Sequence, residues 1–210
     1  MLVAPQELFD RVAGYPVHRG AMALAVRPAE REAASVVAGA RAVLVVEGVN
    51  DFENLGSLFR NAAAFGVGAV LLDPTTADPL YRRCVRVSLG HVMRVPFARV
   101  ADWPAGLSEL SRAGFSLIAL TPASERSVDE VARARPERVA VVVGAEGPGL
   151  SPGALAACDI RACIPMATGV DSLNVATAAA VALHLLAGPP GRGPAEGASD
   201  SERSRSGLGD

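Results

Sequence analysis

Val139-Ala-Val-Val-Val-Gly-Ala-Glu-Gly-Pro-Gly-Leu-Ser-Pro152 is the stretch that decides how the chain folds. Its first five residues are apolar and mostly valine, the pattern of a short strand buried on both faces. The three glycines that follow, at 144, 147 and 149, mark a turn at the strand's carboxyl end. Ser151 and Pro152 then read as a helix N-cap followed by proline at the first helical position, where its missing N–H is not needed. Strand, glycine-rich turn and helix make a β–α unit.

The same alternation runs through the middle of the chain. Short apolar runs bounded by turn residues predict strands at Ala42–Val46, Ala69–Leu72, Met93–Pro96, Phe115–Ala119, Val139–Val143 and Ile160–Ile164. Between them, Asn54–Phe65 repeats apolar residues at Leu55, Leu58, Phe59, Ala62 and Phe65, with Gly66 as its stop. Trp103–Ala113 and Ser127–Ala134 read as helices too, the second with Ser127 as cap and Asp129 and Glu130 in a first turn that favours acids. The last helix, Ser172–Ala187, is apolar on nearly every side, which predicts burial by its own sheet and by a second subunit. Six β–α alternations imply an α/β fold: a mostly parallel sheet flanked by helices, with ligands at the carboxyl ends of the strands.

Composition agrees. Half of the 210 residues are hydrophobic and only 4% are aromatic, which suits valine-rich parallel strands under alanine- and leucine-rich helices. Cys84, Cys158 and Cys163 are odd in number and lack CxxC spacing, so neither a disulfide framework nor a zinc site is indicated. They read as small buried side chains in a reducing compartment. Residues 1–10 carry Gln6, Glu7 and Asp10 and do not read as a signal peptide. The longest apolar stretch, Val175–Ala187, contains His184 and is too short to span a bilayer. A cytoplasmic protein is expected. Its net charge of −2 argues against clamping a polyanion by overall electrostatics, so any polyanionic partner must be held at a local site. Three zones follow: an N-terminal arm over residues 1–37, a domain over 38–188, and a Gly/Pro/Ser-rich tail over 189–210 that is expected to be disordered.

Three strand-end loops hold polar residues that solvent exposure alone explains poorly. The first runs from Glu47 to Arg60, with Asn54 where the helix is expected to begin; Asn54 suits either a cap or a site. Arg60 follows six residues on, less than two turns, and both are expected to border the same sheet edge. The second, Gly144–Ser151, sets one carboxylate, Glu146, among glycines that allow close backbone approach. It is no Walker loop, and no GxGxxG follows the first strand. Asp73, at the end of the second strand, reads as a turn residue. The third loop, Ile164–Val175, brings Ser172 and Asn174 to the first turn of the last helix, where free amides attract polar or anionic groups. His184 reads as a core histidine and His91 as structural, and His18 with Arg19 suits either an RNA contact or a surface pair. No Ser/His/Asp or Cys/His ordering indicates a hydrolase.

These loops, in this order, resemble the three signature motifs of the SpoU/TrmH family of SPOUT methyltransferases. The matching strings are Asn54-Leu-Gly-Ser-Leu-Phe-Arg60-Asn-Ala-Ala-Ala-Phe-Gly66, Val143-Gly-Ala-Glu-Gly-Pro-Gly-Leu-Ser151, and Ile164-Pro-Met166 with Ser172-Leu-Asn-Val175. Val87-Ser-Leu-Gly-His-Val-Met-Arg-Val-Pro96 is a further family-like string. The resemblance implies a C-terminal trefoil knot, which fold rules alone would not suggest. It also implies S-adenosylmethionine held around Leu120, Gly144, Gly149, Ile164, Met166 and Leu173, a homodimer formed through the knot helices, and transfer of a methyl group to a ribose 2′-hydroxyl of rRNA or tRNA. The implied catalytic set is Arg60, Asn54, Glu146, Ser172 and Asn174, with His18 and Arg19 touching RNA. A guanidinium is effectively always protonated, which favours Arg60 as a phosphate clamp over a literal base. The resemblance implies that many relatives carry an N-terminal RNA-binding domain before the segment resembling Gly14-Tyr-Pro-Val-His-Arg-Gly20; only about 35 residues precede the catalytic zone here, which suggests a truncated or absent front module. The rival expectations are a non-catalytic RNA-binding or ribosome-assembly protein of the same fold, and a nucleotide-dependent oxidoreductase, which lacks its phosphate loop.

Overall fold

The structure, a computed structural model, describes residues 3–14, 16, 23 and 25–187; His18, Arg19 and the 189–210 tail lie outside them. Six strands form one parallel sheet: β1 (Ala42–Glu47), β2 (Ala69–Leu72), β3 (Phe97–Arg99), β4 (Ser116–Leu120), β5 (Val139–Gly144) and β6 (Ile160–Ala162). Their order across the sheet is β3-β2-β1-β5-β4-β6. The chain runs outward from β1 through β2 to β3, crosses to β4, steps inward to β5 beside β1 and returns to the far edge at β6, so the switch point lies between β1 and β5. Glu47 stands beside Gly144 in the register, so the loops leaving β1 and β5 emerge side by side.

Strand residues alternate between two apolar layers. Leu44, Val46, Val70, Val141 and Ile118 face α3 (Phe52–Ala64), α4 (Arg82–Val87), α6 (Val128–Arg133) and α8 (Val175–Leu186), packing on Leu55, Leu58, Phe59, Val131, Ala179 and Leu183. Val43, Val45, Leu71 and Val142 face the other way, onto α2 (Ala33–Val37), α5 (Leu107–Arg112) and α7 (Pro152–Ala157). Every residue of β1 is buried, which is why Ala42–Val46 is a continuous apolar run rather than an alternating one. The remaining helix, α1 (Gln6–Ala13), buries none of its side chains. Val36 and Val37 of α2 belong to the core, so the packed unit takes in a few residues before position 38.

Several expectations need correction. The third strand is Phe97–Arg99 rather than Met93–Pro96: Leu89 and Gly90 turn the backbone through positive φ into a 3-10 turn over His91–Met93, and pairing with β2 begins only after Pro96. Asp51, not Asn54, caps α3, its carboxylate accepting from the amides of Glu53 and Asn54 at 2.7 and 2.9 Å. The last helix starts at Val175 with Asn174 as its cap, leaving Ser172 outside. His184 is exposed, meeting Phe65 edge-on, and is not a core residue. The same helix is open along Thr177, Val181, His184 and Leu185, so the single chain does not bury it all round. The expected cap at Ser127 forms as a full capping box with Glu130, and Ser151 with Pro152 opens α7.

Candidate active site

The loop leaving β5 folds back on itself. Gly149 N–H donates to the Ala145 carbonyl at 3.0 Å, and Gly147 and Gly149 have φ of 87° and 70°, left-handed values that favour glycine. A Cβ on Gly144 would lie 2.3 Å from the Gly149 carbonyl carbon and 2.5 Å from Leu150 N. The first glycine is thus required by the loop's own return. Glu47, 8% exposed at the end of β1, pins the far side of the loop: one carboxylate oxygen accepts from Trp103 Nε1 at 2.6 Å and the other from Ser151 N–H at 2.9 Å.

The loop after β1 is anchored in a similar way. Asp73, 2% exposed, accepts from Gly48 N–H at 3.0 Å and from Thr75 and Thr76, so it is the turn residue its position suggested. Burial opposes its charge, but the hydrogen bonds from Gly48 and the two threonines outweigh that and hold its carboxyl below the usual range.

Asn174 joins the three loops. Its Oδ1 accepts from the amides of Ala176 and Thr177 at 3.0 and 3.2 Å, capping α8. Its Nδ2 donates to Asn54 Oδ1 at 2.7 Å and to Glu146 Oε1 at 2.6 Å. Every polar atom of this side chain is engaged, and the partners dictate which way its amide faces. Among the described residues this leaves Asn54 Nδ2 as a donor and Glu146 Oε2 as an acceptor with no protein partner. Asn61 adds a brace from α3, its Nδ2 donating to the Ala176 carbonyl at 2.7 Å.

Beside this node lies a cavity of about 490 Å³. Leu120, Gly144, Gly149, Ile164, Met166 and Leu173, the six residues expected around the cofactor, all line it, as do Glu146, Ser172 and Asn174. Its volume falls in the range of about 300–1,000 Å³ typical of small-molecule sites. Apolar side chains from the ends of β4, β5 and β6 supply its walls, and the glycines expose backbone.

Arg60 is placed differently. Six residues beyond Asn54, it lies about 120° around the helix from it at ~100° per residue, so the two do not share a helix face. It is exposed, does not line the cavity, and has no hydrogen-bond or ion-pair partner among the described residues. His18 and Arg19 fall outside those residues. Burial pushes the thiols of Cys84 and Cys158 up to about 12, which makes both poor nucleophiles near neutral pH. No group of three or more His, Cys, Asp or Glu among the described residues is placed to hold a metal ion.

Glu47 and Asn61 were missed by sequence reading. The signal for Glu47 is an acid directly after an unbroken apolar strand, and for Asn61 an amide on the buried side of an amphipathic helix.

The double duty of Asn174 gives a separable expectation. Asn174→Ala removes both the cap and the bridge, lowering stability by about 1 kcal/mol in urea unfolding. Asn174→Ser restores the cap and hence the stability, yet leaves Asn54 and Glu146 disconnected. If activity returns with stability in the serine variant, the bridge to Asn54 and Glu146 has no functional weight.

The SpoU rRNA Methylase family model matches residues 41–184. An uncharacterized tRNA/rRNA methyltransferase of Mycobacterium tuberculosis is 53% identical over 183 residues, which cover 86% of this chain and 64% of the relative. The chain therefore spans less than two thirds of the length of that relative. Among solved structures, an AdoMet-bound rRNA methyltransferase from Sinorhizobium meliloti superposes with a TM-score of 0.65 at 28% identity, covering 69% of this chain and 55% of that one. An RNA 2′-O ribose methyltransferase superposes with a TM-score of 0.62 at 30% identity, covering 81% and 60%.

Proposed function

Because this chain belongs to the SpoU rRNA methylase family, we propose that it transfers a methyl group from S-adenosylmethionine to a ribose 2′-hydroxyl of ribosomal or transfer RNA. The observation that carries this reading is the cavity at the ends of β4, β5 and β6, rimmed by the Asn54–Asn174–Glu146 node.

The donor set fits the cofactor. Leu120, Ile164, Met166 and Leu173 offer apolar walls for an adenine, while the bare backbone of Gly144 and Gly149 allows main-chain hydrogen bonds at close approach. When bound, S-adenosylmethionine supplies an electrophilic methyl group. The chain's own part is to place a ribose oxygen in line with it and to manage one proton and the charge that develops. Glu146 Oε2 is the open acceptor at the rim, suited to orient the 2′-hydroxyl or take its proton. Asn54 Nδ2 is the open donor, held in place through Asn174, and Ser172 offers its hydroxyl along the same wall.

Arg60 acts as phosphate clamp and stabiliser of alkoxide charge. Its position off the cavity supports a role completed by bound RNA or by a facing subunit. A homodimer built on the open face of α8 is part of this reading, supported by the apolar Val181 and Leu185, which the chain covers only in part. So is a trefoil knot formed by the 164–174 segment, which follows the bridge between Cys163 and Ser127 and then runs past the glycine loop. We place the protein in the cytoplasm, with His18 and Arg19 as further RNA contacts. No helix among the described residues is long and apolar enough to cross a membrane.

The test is incubation with total RNA and methyl-labelled cofactor, followed by alkaline hydrolysis. A 2′-O-methyl group blocks the attack that cleaves the chain, so the label is expected in alkali-resistant dinucleotides. Label released in mononucleotides would place the methyl on a base and overturn the ribose assignment. No incorporation at all would overturn the methyl-transfer reading.

A further inference from the structure

A stacked aromatic pair sits on the same carboxyl edge as the proposed site. The ring centroids of Tyr81 and Phe52 lie 4.2 Å apart with 27° between their planes. Phe52 is the first residue of α3, two before Asn54, and Tyr81 is the N-cap residue of α4, reached from the end of the neighbouring strand β2. Phe52 is half-buried against the core, whereas Tyr81 is 48% exposed. No other Phe, Tyr or Trp among the described residues is so exposed, in a chain with few of them.

The segment that follows Tyr81 in the chain is basic, although Glu53 and Asp78 stand beside it. From Pro79 to Ala101 there are five arginines and no acid, although the chain as a whole carries −2. Arg99 is used internally, donating to the carbonyls of Asp73, Thr76 and Ala77, and Arg83 pairs with Glu53. Arg82 and Arg86 are one helical turn apart on the side of α4 opposite the buried Cys84, so they form an exposed column leading away from Tyr81. That backing helix is held tightly to α3. A Cβ on Gly56 would meet Val87 Cβ at 2.8 Å and the Cys84 carbonyl at 2.9 Å.

An exposed ring on a rigid support, followed by a column of guanidinium groups, matches single-stranded nucleic acid. Unpaired bases stack on aromatic rings, and the phosphates that follow meet the cations. A duplex offers no free base face to such a ring. We infer that the Tyr81–Phe52 pair is a platform on which an unpaired RNA base next to the target ribose stacks, with Arg82 and Arg86 holding the adjoining phosphates. This rests on the proposed RNA methyl transfer and adds to it where the strand enters.

The experiment is filter binding of the full chain to a mixed tRNA and rRNA preparation at several salt concentrations, alongside methylation of the same RNA. Tyr81→Ala is expected to weaken RNA binding roughly tenfold, and Tyr81→Phe, which keeps the ring, to restore most of it. Calorimetric affinity for S-adenosylmethionine and the melting temperature should match wild type in both variants. The Arg82→Gln/Arg86→Gln double variant is expected to flatten the slope of log affinity against log salt by about 1.4, two contacts at ~0.7 each. If wild type methylates RNA while Tyr81→Ala and the arginine variant bind it unchanged, the platform is overturned and the methyl-transfer reading stands. If wild type neither binds nor methylates RNA, both fall.

Discussion

Arg60→Ala is expected to lower methyl transfer to RNA by a factor on the order of 10²–10³, the loss seen when a group that stabilises developing charge is removed. Affinity for S-adenosylmethionine should stay within about twofold of wild type, because Arg60 does not line the cavity. Stability should change by no more than about 0.5 kcal/mol, since the side chain is exposed and without a partner among the described residues. Arg60→Lys keeps the charge but loses the planar fork that grips phosphate, so only partial recovery is expected. Single-turnover transfer with saturating cofactor, paired with calorimetry, reads both quantities. Unchanged turnover in the alanine variant would remove Arg60 from the mechanism.

Gly144→Val should have the opposite signature. A Cβ there would lie 2.3–2.5 Å from the backbone of Gly149 and Leu150, and backbone cannot rotate aside as a flexible side chain can. The loop must open, which breaks the Ala145–Gly149 bridge and carries Gly149 away from the cavity wall. Cofactor affinity is expected to fall a hundredfold or more, and stability by about 2 kcal/mol, within the range for overpacked sites. Gly66→Ala makes the contrast: its φ is also left-handed, 68°, but nothing lies within 4 Å of its Cβ. That variant should lose about 1 kcal/mol from backbone strain alone and bind cofactor normally. Equal cofactor affinity in Gly144→Val and wild type would show that the glycine loop does not shape the site.

The strands were legible because a parallel strand covered on both faces needs an unbroken apolar run, as Val43–Val46 and Val139–Val143 are. The offset of β3 was not, because Leu89 at φ 54° and Gly90 at φ 79° make a local turn that apolar periodicity does not reveal. Nor was α4, which buries only Cys84 and so has no amphipathic stripe to read. The site loops stood out as polar residues stranded at the ends of apolar runs. Which of several candidates caps a helix was harder, since Asp51 and Asn54, or Ser172 and Asn174, both lie within reach of the same free amides. Glu47 escaped notice because its partners, Trp103 and Ser151, are 56 and 104 residues away in the chain. How Arg60 stands to the cavity was not legible either: a spacing of six turns it about 120° around the helix from Asn54, and it does not line the cavity.

Calorimetric titration of the full-length chain with S-adenosylmethionine tests most directly whether the ends of β4, β5 and β6 seat a methyl donor. One saturable site per chain, displaced by S-adenosylhomocysteine and absent with NAD, is the predicted result. A chain that circular dichroism shows to be folded, but that gives no saturable heat at millimolar S-adenosylmethionine, would contradict it.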